Sequence, residues 1–489
     1  MREEWLCVLV WIGHAAYGLW TAWDASVRYW ANGDLWSGFF EPGWRLLGSS
    51  AKDAEDFEWH VWMDALPWMT ALSIVHCAVF AAIDRLLPSP ERQWRLLLPF
   101  WTLLHLCFYR VKLLALLFLC GCTVVLLVSA QGRLWIGNNR RATFLMWTGS
   151  LCVLGTLIYT TDLSGSSSSS LSFEAANAEA VLVAYKLLQF LSFGLYHLRQ
   201  ATAEPDKLLL ARELATYALY CRRRRMAQLD GAGVAMECAR FVSWALLSEF
   251  LRHFLFVNAF MNEAALLEVL PLPVLCSVGY TAGQLFQVKY MAIFGFQRLF
   301  ARLDRMEPPG LPICISRVSL YSRMWRYFDR GLYGFLRDNI FVPVAGGGER
   351  NFALRWRTLA TLLSFFFVYI WHGASRAFLA WVSLNAVEVL LENMAKEVSK
   401  WPLIHDRLAQ LSARTRARLI ALLHIPCTAM GILAIFFFLG DNQGDTGWVF
   451  VERILYQEIF ALRPSFLYFV ALGYCYARSC IYLEQMLNF

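Results

Sequence analysis

Residues 358–391 read TLATLLSFFFVYIWHGASRAFLAWVSLNAVEVLL, and this stretch decides the fold class. Two long apolar runs, 358–371 and 377–391, meet at His372, and the second run is broken only by Glu388. Apolar runs of this kind predict membrane-embedded helices. A polar, titratable ring between them is expensive at membrane depth, so His372 is a candidate functional residue. Histidine is also the side chain best suited to proton transfer near neutral pH.

The composition of the whole chain indicates an integral membrane protein rather than a soluble one. Of 489 residues, 58% are hydrophobic and only 17% are charged, whereas a soluble domain carries roughly 25% charged residues. The net charge is +7, and part of it lies in the block Arg222–Arg225. Under the positive-inside rule this block predicts a cytosolic loop. A nucleic-acid or anionic-lipid patch is the alternative, but nothing beside the block repeats the charge.

The cysteines of the chain give no sign of a metal or redox site. The thirteen Cys residues are scattered, and many of them lie inside apolar runs. They form no CxxC pair and no Cys/His cluster at zinc spacing. We therefore interpret them as small buried hydrophobic residues and predict no metal ligands.

Candidate membrane spans follow one another to the end of the chain. The first, Trp5–Trp23, has no charged residue and predicts an uncleaved anchor rather than a removable signal peptide. Several others are too short to cross a ~30 Å core as straight helices, so we expect about ten to twelve crossings plus re-entrant segments. The predicted spans are 5–23, 65–83, 96–109, 113–130, 142–160, 180–196, 241–260, 271–298, 358–371, 377–391, 419–439 and 466–484. The predicted fold is an all-α polytopic transmembrane helical bundle, forming a single membrane-embedded domain over residues 1–489.

Residues 324–348 combine an apolar helical face with arginines. The apolar face is formed by Trp325, Phe328, Leu332, Phe335 and Leu336. The arginines of the segment are Arg326, Arg330 and Arg337, which interrupt this apolar pattern. The segment is too polar to span a bilayer and too apolar to be free in water, so we predict an interfacial or re-entrant helix. Its arginines suit a phosphate-bearing ligand, because planar guanidinium donors bind phosphate in bidentate fashion.

Asp329 lies inside this segment and has two interpretations. Arg326 precedes it by three positions and can pair with it on a helix surface, which would be a purely structural role. Alternatively, its carboxylate acts together with His372 in proton transfer. His372 has a structural alternative of its own, a satisfied polar contact between helices. The residues alone leave these alternatives open.

Taken together, several blocks resemble the membrane-bound O-acyltransferase superfamily, most closely its protein-modifying branch, the hedgehog acyltransferases. The blocks are Asp53-Ala-Glu-Asp-Phe-Glu-Trp59, Leu303–Pro312, Met324–Leu332, Trp371-His372-Gly373, Leu384-Asn385, Glu392-Asn393 and Leu439–Asn442. They keep the order of the family and cover most of the chain. The two central blocks, which contain Asp329 and His372, are specific, and the others are weak when taken alone.

The resemblance implies transfer of a long-chain acyl group, palmitoyl, from palmitoyl-CoA to the N-terminal Cys amine of a secreted hedgehog-type signalling protein. It implies a multi-pass protein of the endoplasmic reticulum membrane that needs no cofactor besides this acyl donor and binds no nucleic acid. His372 looks like the membrane-embedded His of the superfamily, and Asp329 looks like its acidic partner. Trp325 matches a bulky residue near the acyl-CoA path, and Asn442 matches a polar residue near the acyl carbonyl. Arg326 is expected to bind substrate.

Two other functions remain as alternatives. One is a non-enzymatic, acyltransferase-like membrane protein that binds lipid or a partner, and the other is a lipid or small-substrate O-acyltransferase of the same fold. The superfamily usually carries a stretch rich in Tyr and Pro with a Gly-Pro step, and Leu208–Gly233 contains no such step, which favours the first alternative. The presence of both His372 and Asp329 favours an enzyme, and the block 53–59 favours the protein-acylating branch. A transporter is not supported, because the chain shows no repeated halves.

Overall fold

The protein is almost entirely helical. A computed structural model describes residues 3–30, 37–48, 51–86, 111–129, 136–165, 170–199, 230–346, 354–440, 446–461 and 463–486. The strands found there, β1 (Phe40–Pro42) and β2 (Ala51–Asp53), form one short antiparallel pair. Two three-residue strands cannot form an independent core, so the prediction of an all-α fold is confirmed.

The helices follow the apolar runs of the sequence. In chain order they are α1 (Glu3–Tyr29), α2 (Phe57–Leu86), α3 (Val111–Val128), α4 (Asn139–Gly165), α5 (Ser170–Arg199), α6 (Gly231–Leu251), α7 (Val257–Met261), α8 (Ala264–Val269), α9 (Leu272–Leu303), α10 (Tyr321–Tyr327), α11 (Arg330–Leu336), α12 (Val342–Ala345), α13 (Leu354–Trp371), α14 (Arg376–Val398), α15 (Pro402–Gln410), α16 (Ala413–Leu439), α17 (Thr446–Ile454) and α18 (Pro464–Met486). Short 3-10 or π turns precede or follow some of them.

Six helices within the described residues are long and apolar enough to cross a membrane. They lie at Glu3–Tyr29, Phe57–Ile83, Asn139–Tyr159, Arg376–Val398, Ala413–Leu439 and Pro464–Met486. The chain is therefore a multi-pass membrane protein, as the composition predicts. The predicted spans at 180–196, 271–298 and 358–371 are helical too, as parts of α5, α9 and α13. The predicted span 96–109 lies outside the described residues.

The prediction of one continuous span over 241–260 is wrong, because the chain breaks between α6 and α7. The carbonyl of Arg252 accepts a hydrogen bond from the N–H of Asp53 at 3.0 Å. The N–H of Phe256, its normal helical partner, donates instead to the Ser26 hydroxyl at 3.0 Å. Both halves of one helical hydrogen bond therefore have partners from distant parts of the chain, and the helix ends there.

The block that begins at Asp53 forms a buried ionic joint. Asp56, just before α2, pairs with Arg252 at 2.8 Å and with Lys289 at 2.9 Å. Asp53 accepts hydrogen bonds from the backbone of α7. Asp53, Arg252 and Lys289 are all buried. We call Asp53, Asp56, Arg252 and Lys289 the acidic joint. It connects the start of α2 to the turn after α6 and to α9.

The chain divides into two compact units. One consists of Met1–Ala71, Leu229–Leu303 and Pro308–Phe489, and the other of Leu72–Gln228 and Asp304–Glu307. In the first unit, α14 packs against both α13 and α16, and α9 packs against α6 and α1. Every candidate site residue that the structure describes lies in this first unit. The single-domain organisation stays a prediction.

Candidate active site at the turn of a helical hairpin

His372 directly follows the last residue of α13, at a helix end that the local sequence specifies. The Gly373 N–H donates to the carbonyl of Ile370 and the Ala374 N–H to that of Tyr369, both at 3.1 Å. This pair of bonds is the Schellman ending of a helix, in which glycine usually takes the left-handed position. Gly373 has a φ of +101°, which glycine adopts readily. The position of His372 is therefore set by a hydrogen-bonded turn.

The same turn starts α14. The Ser375 hydroxyl accepts a hydrogen bond from the Phe378 N–H at 3.1 Å, which caps the new helix. Between cap and turn, Ala374 has a φ of +60°, a conformation that costs a residue with a side chain about 1 kcal/mol or more. The Tyr369 hydroxyl donates to the Ala374 carbonyl at 2.7 Å and holds this residue. The chain therefore turns at residues 373–375 between α13 and α14.

Three aromatic rings surround the His372 imidazole. The ring centre of Trp381 lies 5.1 Å away in an edge-on arrangement, that of Phe438 5.4 Å and that of Phe378 5.5 Å. Trp381 and Phe378 belong to α14, and Phe438 belongs to α16. The imidazole is half-buried, and neither of its nitrogens has a hydrogen-bond partner among the described residues. Its nitrogens are therefore available to a substrate.

Trp325 reaches the same cluster from α10. Its ring lies 5.6 Å from that of Trp381 and 5.2 Å from that of Phe365. Its Nε1–H donates to Asn385 Oδ1 at 3.1 Å, and Asn385 Nδ2 donates to the Trp381 carbonyl at 2.7 Å. Asn385 therefore fixes the Trp325 indole against α14, and the rings of Trp325 and His372 both contact the Trp381 indole.

Asp329 begins α11 as its N-cap. Its Oδ1 accepts the Leu332 N–H at 2.9 Å, and the predicted helix over 324–348 is therefore broken at this residue. Burial raises the pKa of the Asp329 carboxyl above its usual value, while the backbone N–H groups of α11 oppose that rise. No hydrogen bond or ion pair joins its carboxylate to His372 in the structure.

Aromatic rings nevertheless connect the segment of Asp329 to His372. Phe328, the residue before Asp329, stacks on Phe286 of α9 with ring centres 5.7 Å apart. Phe286 in turn meets Phe438 edge-on at 5.6 Å, and Phe438 contacts the imidazole. His372 and the residue before Asp329 therefore belong to one aromatic cluster, and the two predicted catalytic side chains have no direct contact.

Arg326 does not pair with Asp329 in the structure, and the structural role that this carboxylate does have is the cap of α11. The Arg326 guanidinium lies over the ring of Tyr333 at 5.8 Å, and that of Arg330 lies over the ring of Tyr327 at 5.1 Å. Both arginines are exposed, and neither forms an ion pair with a described carboxylate. Exposed guanidinium groups stacked on tyrosine rings keep their N–H donors available for a phosphate.

Two features singled out in the sequence fall outside the described residues. Asn442 is one of them, and the block Arg222–Arg225 is the other. In the part of the chain that is described, no group of three or more His, Cys, Asp or Glu residues is arranged to hold a metal ion.

Trp381, Asn385 and Phe438 are site residues that sequence reasoning did not single out individually. The first two had a signal, because a polar residue follows a tryptophan by one helical turn inside an apolar run that begins next to His372. No sequence signal pointed to Phe438, because it is one of several phenylalanines in a run and reaches the site from another helix.

Comparison with known proteins shows that the chain is similar to acyltransferases. The profile of the membrane-bound O-acyltransferase family matches residues 61–434, which include Asp329 and His372. The chain is 29% identical over 481 residues to the protein-cysteine N-palmitoyltransferase HHAT of Mus musculus, with 90% of each protein covered. It is 28% identical to the protein-cysteine N-palmitoyltransferase Rasp of Drosophila melanogaster, with 76% of this chain and 71% of Rasp covered. It is 22% identical to the HHAT-like protein of Mus musculus, with 81% of this chain and 78% of that protein covered.

Proposed function

The chain belongs to the membrane-bound O-acyltransferase family and is an acyltransferase, and we propose that it transfers palmitoyl from palmitoyl-CoA to the N-terminal Cys amine of a secreted hedgehog-type signalling protein. One observation carries the proposal. The imidazole of His372 is held at a hydrogen-bonded turn, among aromatic rings and without a polar partner in the described residues. The relatives named as protein-cysteine N-palmitoyltransferases supply the acceptor class.

His372 acts as general base in the proposed reaction. The amine nitrogen attacks the thioester carbonyl carbon, so a C–N bond forms and the C–S bond breaks. The imidazole takes the proton from the attacking nitrogen and then donates it to the departing CoA sulfur, which leaves as a free thiol. A side chain that accepts and releases a proton near neutral pH is required for both steps.

Asp329 supports this base, and Asn442 stabilises the tetrahedral oxyanion. A carboxylate that approaches the protonated imidazole stabilises it and fixes its orientation. Asp329 caps α11 in the structure, so this role requires its carboxylate to turn toward His372 when the substrates bind, as catalytic contacts often tighten only in the complex. The Asn442 amide is the proposed oxyanion donor.

The remaining predicted site residues bind the acyl donor. Trp325, beside Trp381, borders the path of the acyl chain, and apolar helices bury that chain at about 0.8 kcal/mol per CH₂. Arg326 binds a phosphate of CoA. In the endoplasmic reticulum membrane, CoA would bind from the cytosolic side and the secreted acceptor from the lumenal side. The enzyme would then pass the acyl group across the bilayer.

The decisive experiment supplies radiolabelled palmitoyl-CoA and a peptide with an N-terminal Cys to the purified protein in lipid nanodiscs. Two matched peptides serve as controls: one with an acetylated N-terminus and one with an N-terminal Ser. We expect label only on the free-amine Cys peptide, in a form that resists neutral hydroxylamine, because an amide survives this reagent and a thioester does not.

Other outcomes point elsewhere. Equal labelling of the acetylated peptide, removed by hydroxylamine, would show S-acylation and rule out the amine as acceptor. Absence of label on every peptide, together with label on added lipid, would favour the lipid O-acyltransferase. Absence of label on every acceptor would contradict the proposed function altogether.

A further inference from the structure

The short helix α10, which carries Trp325, is capped by a carboxylate from another helix. Its own N-cap residue, Leu320, contributes no side-chain hydrogen bond. Instead, Oε1 of Glu392 in α14 accepts the N–H of Tyr321 at 2.6 Å and that of Ser322 at 3.3 Å. Glu392 is buried, at 5% exposure. Two N–H groups that the helix itself cannot satisfy are therefore bound by one buried carboxylate.

The other end of α10 is attached to the same helix, because Trp325 donates to Asn385. Asn385 and Glu392 are two helical turns apart on α14, or about 10 Å. Asn385 holds the later residue of α10 and Glu392 the earlier ones, so the two helices lie antiparallel. On its other side, the Tyr321 ring packs so closely on Gly431 of α16 that any side chain there would collide with it.

Glu388 lies between these two contacts and differs from Glu392. It is fully buried, and neither of its oxygens has a hydrogen-bond partner in the described part of the chain. A lone carboxylate without a hydrogen-bond donor is very costly in such a place. Glu392 instead has two N–H donors and the ammonium of Lys396 at 3.8 Å. The acceptor that binds α10 from this face of α14 is therefore Glu392.

We propose that Glu392 is a positioning residue for acyl transfer, whose carboxylate holds α10 so that Trp325 stays against Trp381 beside His372. This inference rests on the proposed function. It predicts that the hydrogen-bonding capacity of residue 392 matters to catalysis more than its charge, because two backbone N–H groups are what the side chain binds.

The test compares Glu392→Ala with Glu392→Gln. The glutamine keeps a carbonyl oxygen that can accept both N–H groups but has no charge, and the alanine keeps neither. Glu397→Ala is the matched control, because Glu397 lies on the same helix and pairs with Arg357 and Lys400 away from α10. Each variant, in nanodiscs, is measured by hydrogen–deuterium exchange of the peptide covering 319–330 and by kcat and KM of peptide palmitoylation.

We expect Glu392→Ala to speed exchange at Tyr321 and Ser322 several-fold, since a missing cap loosens the first helical turn. Its kcat should fall by about 10²-fold, because a small displacement near the reacting atoms has an effect of that size. Glu392→Gln should restore most of both values, and Glu397→Ala should change neither.

Each alternative result is informative. Faster exchange in Glu392→Ala with unchanged kcat would overturn the positioning role, and so would equal loss of kcat in the glutamine and alanine variants with native exchange in both. If the wild-type protein palmitoylates no peptide, the proposed function fails. The positioning role then fails with it, while the exchange data still decide whether Glu392 holds α10.

Discussion

The acidic joint and the hairpin turn at His372 both place polar side chains in a largely apolar protein, yet they differ in what satisfies them. In the joint, the carboxylate of Asp56 binds two cations within 3 Å. In the turn, the backbone N–H groups of residues 372–374 are hydrogen-bonded, but the imidazole of His372 contacts only aromatic rings among the described residues. A polar group with hydrogen-bond partners stabilises the fold, whereas a polar group without partners on a rigid support is suited to bind a substrate.

The largest expected effect is on the turn. Replacing His372→Ala removes the proposed base and should lower kcat for peptide palmitoylation by about 10²- to 10⁴-fold. The unfolding temperature should change little, because the imidazole has no hydrogen bond to lose within the described residues. Radiolabel transfer and thermal unfolding in the same nanodisc preparation measure the two effects. Full activity in this variant would remove His372 from the mechanism.

The acidic joint should give the opposite result. Asp56→Asn keeps the shape of the side chain but leaves the buried Arg252 without its anionic partner, which costs about 3–5 kcal/mol of folding free energy. The unfolding temperature should fall markedly, while kcat per folded molecule stays the same. Asp338→Asn is the control, since Asp338 forms an exposed pair with Arg337 and its loss should have little effect.

The same variant tests the pH dependence of the joint. Burial alone would raise the pKa of Asp56, but the charges of Lys289 and Arg252 outweigh it and hold the pKa below its usual value. The pair therefore stabilises the folded protein fully above the unfolded-state pKa of about 3.9 and stops doing so as pH falls through the lower folded-state pKa. As the pH is lowered from about 5 to about 2, the free energy of unfolding should fall less steeply for Asp56→Asn than for the wild type.

Asp329 lies between these two extremes, because its carboxylate is partly satisfied by the helix that it caps. Asp329→Asn keeps an oxygen for the Leu332 N–H but removes the charge that would stabilise the imidazolium. We expect about a ten- to hundredfold lower kcat, the usual worth of a hydrogen bond to a charged group, with an unchanged unfolding temperature. Asp329→Ala should lose the same activity and also the cap, so its unfolding temperature should fall. Equal activity of wild type and Asp329→Asn would show that the residue serves only as a cap.

Sequence reasoning predicted the hairpin well and the contacts around it poorly. The apolar runs 358–371 and 377–391 lie within α13 and α14, because lipid and protein burial impose the helical pattern locally. The break inside 241–260 could not be predicted, since it depends on hydrogen bonds to Asp53 and Ser26, which are distant in sequence. Hydropathy singled out His372 in the turn and the family resemblance singled out Asp53–Trp59 in the joint, but only their partners in the structure show that, among the described residues, Asp56 is paired and His372 is not.

The smallest expected effects distinguish the two positive-φ residues of the turn. Gly373→Ala should lower the unfolding temperature, because its φ of +101° suits glycine alone and nothing near it clashes with an added methyl group. The cost should be about 1–2 kcal/mol of backbone strain. Ala374→Gly should relieve strain at φ +60° but make the unfolded chain more flexible, so the net change should stay within about 1 kcal/mol. If both variants keep the kcat of the wild type, catalysis does not depend on the exact backbone conformation at residues 373 and 374. If Ala374→Gly keeps its stability but loses kcat, the strained alanine itself fixes the direction of the His372 ring.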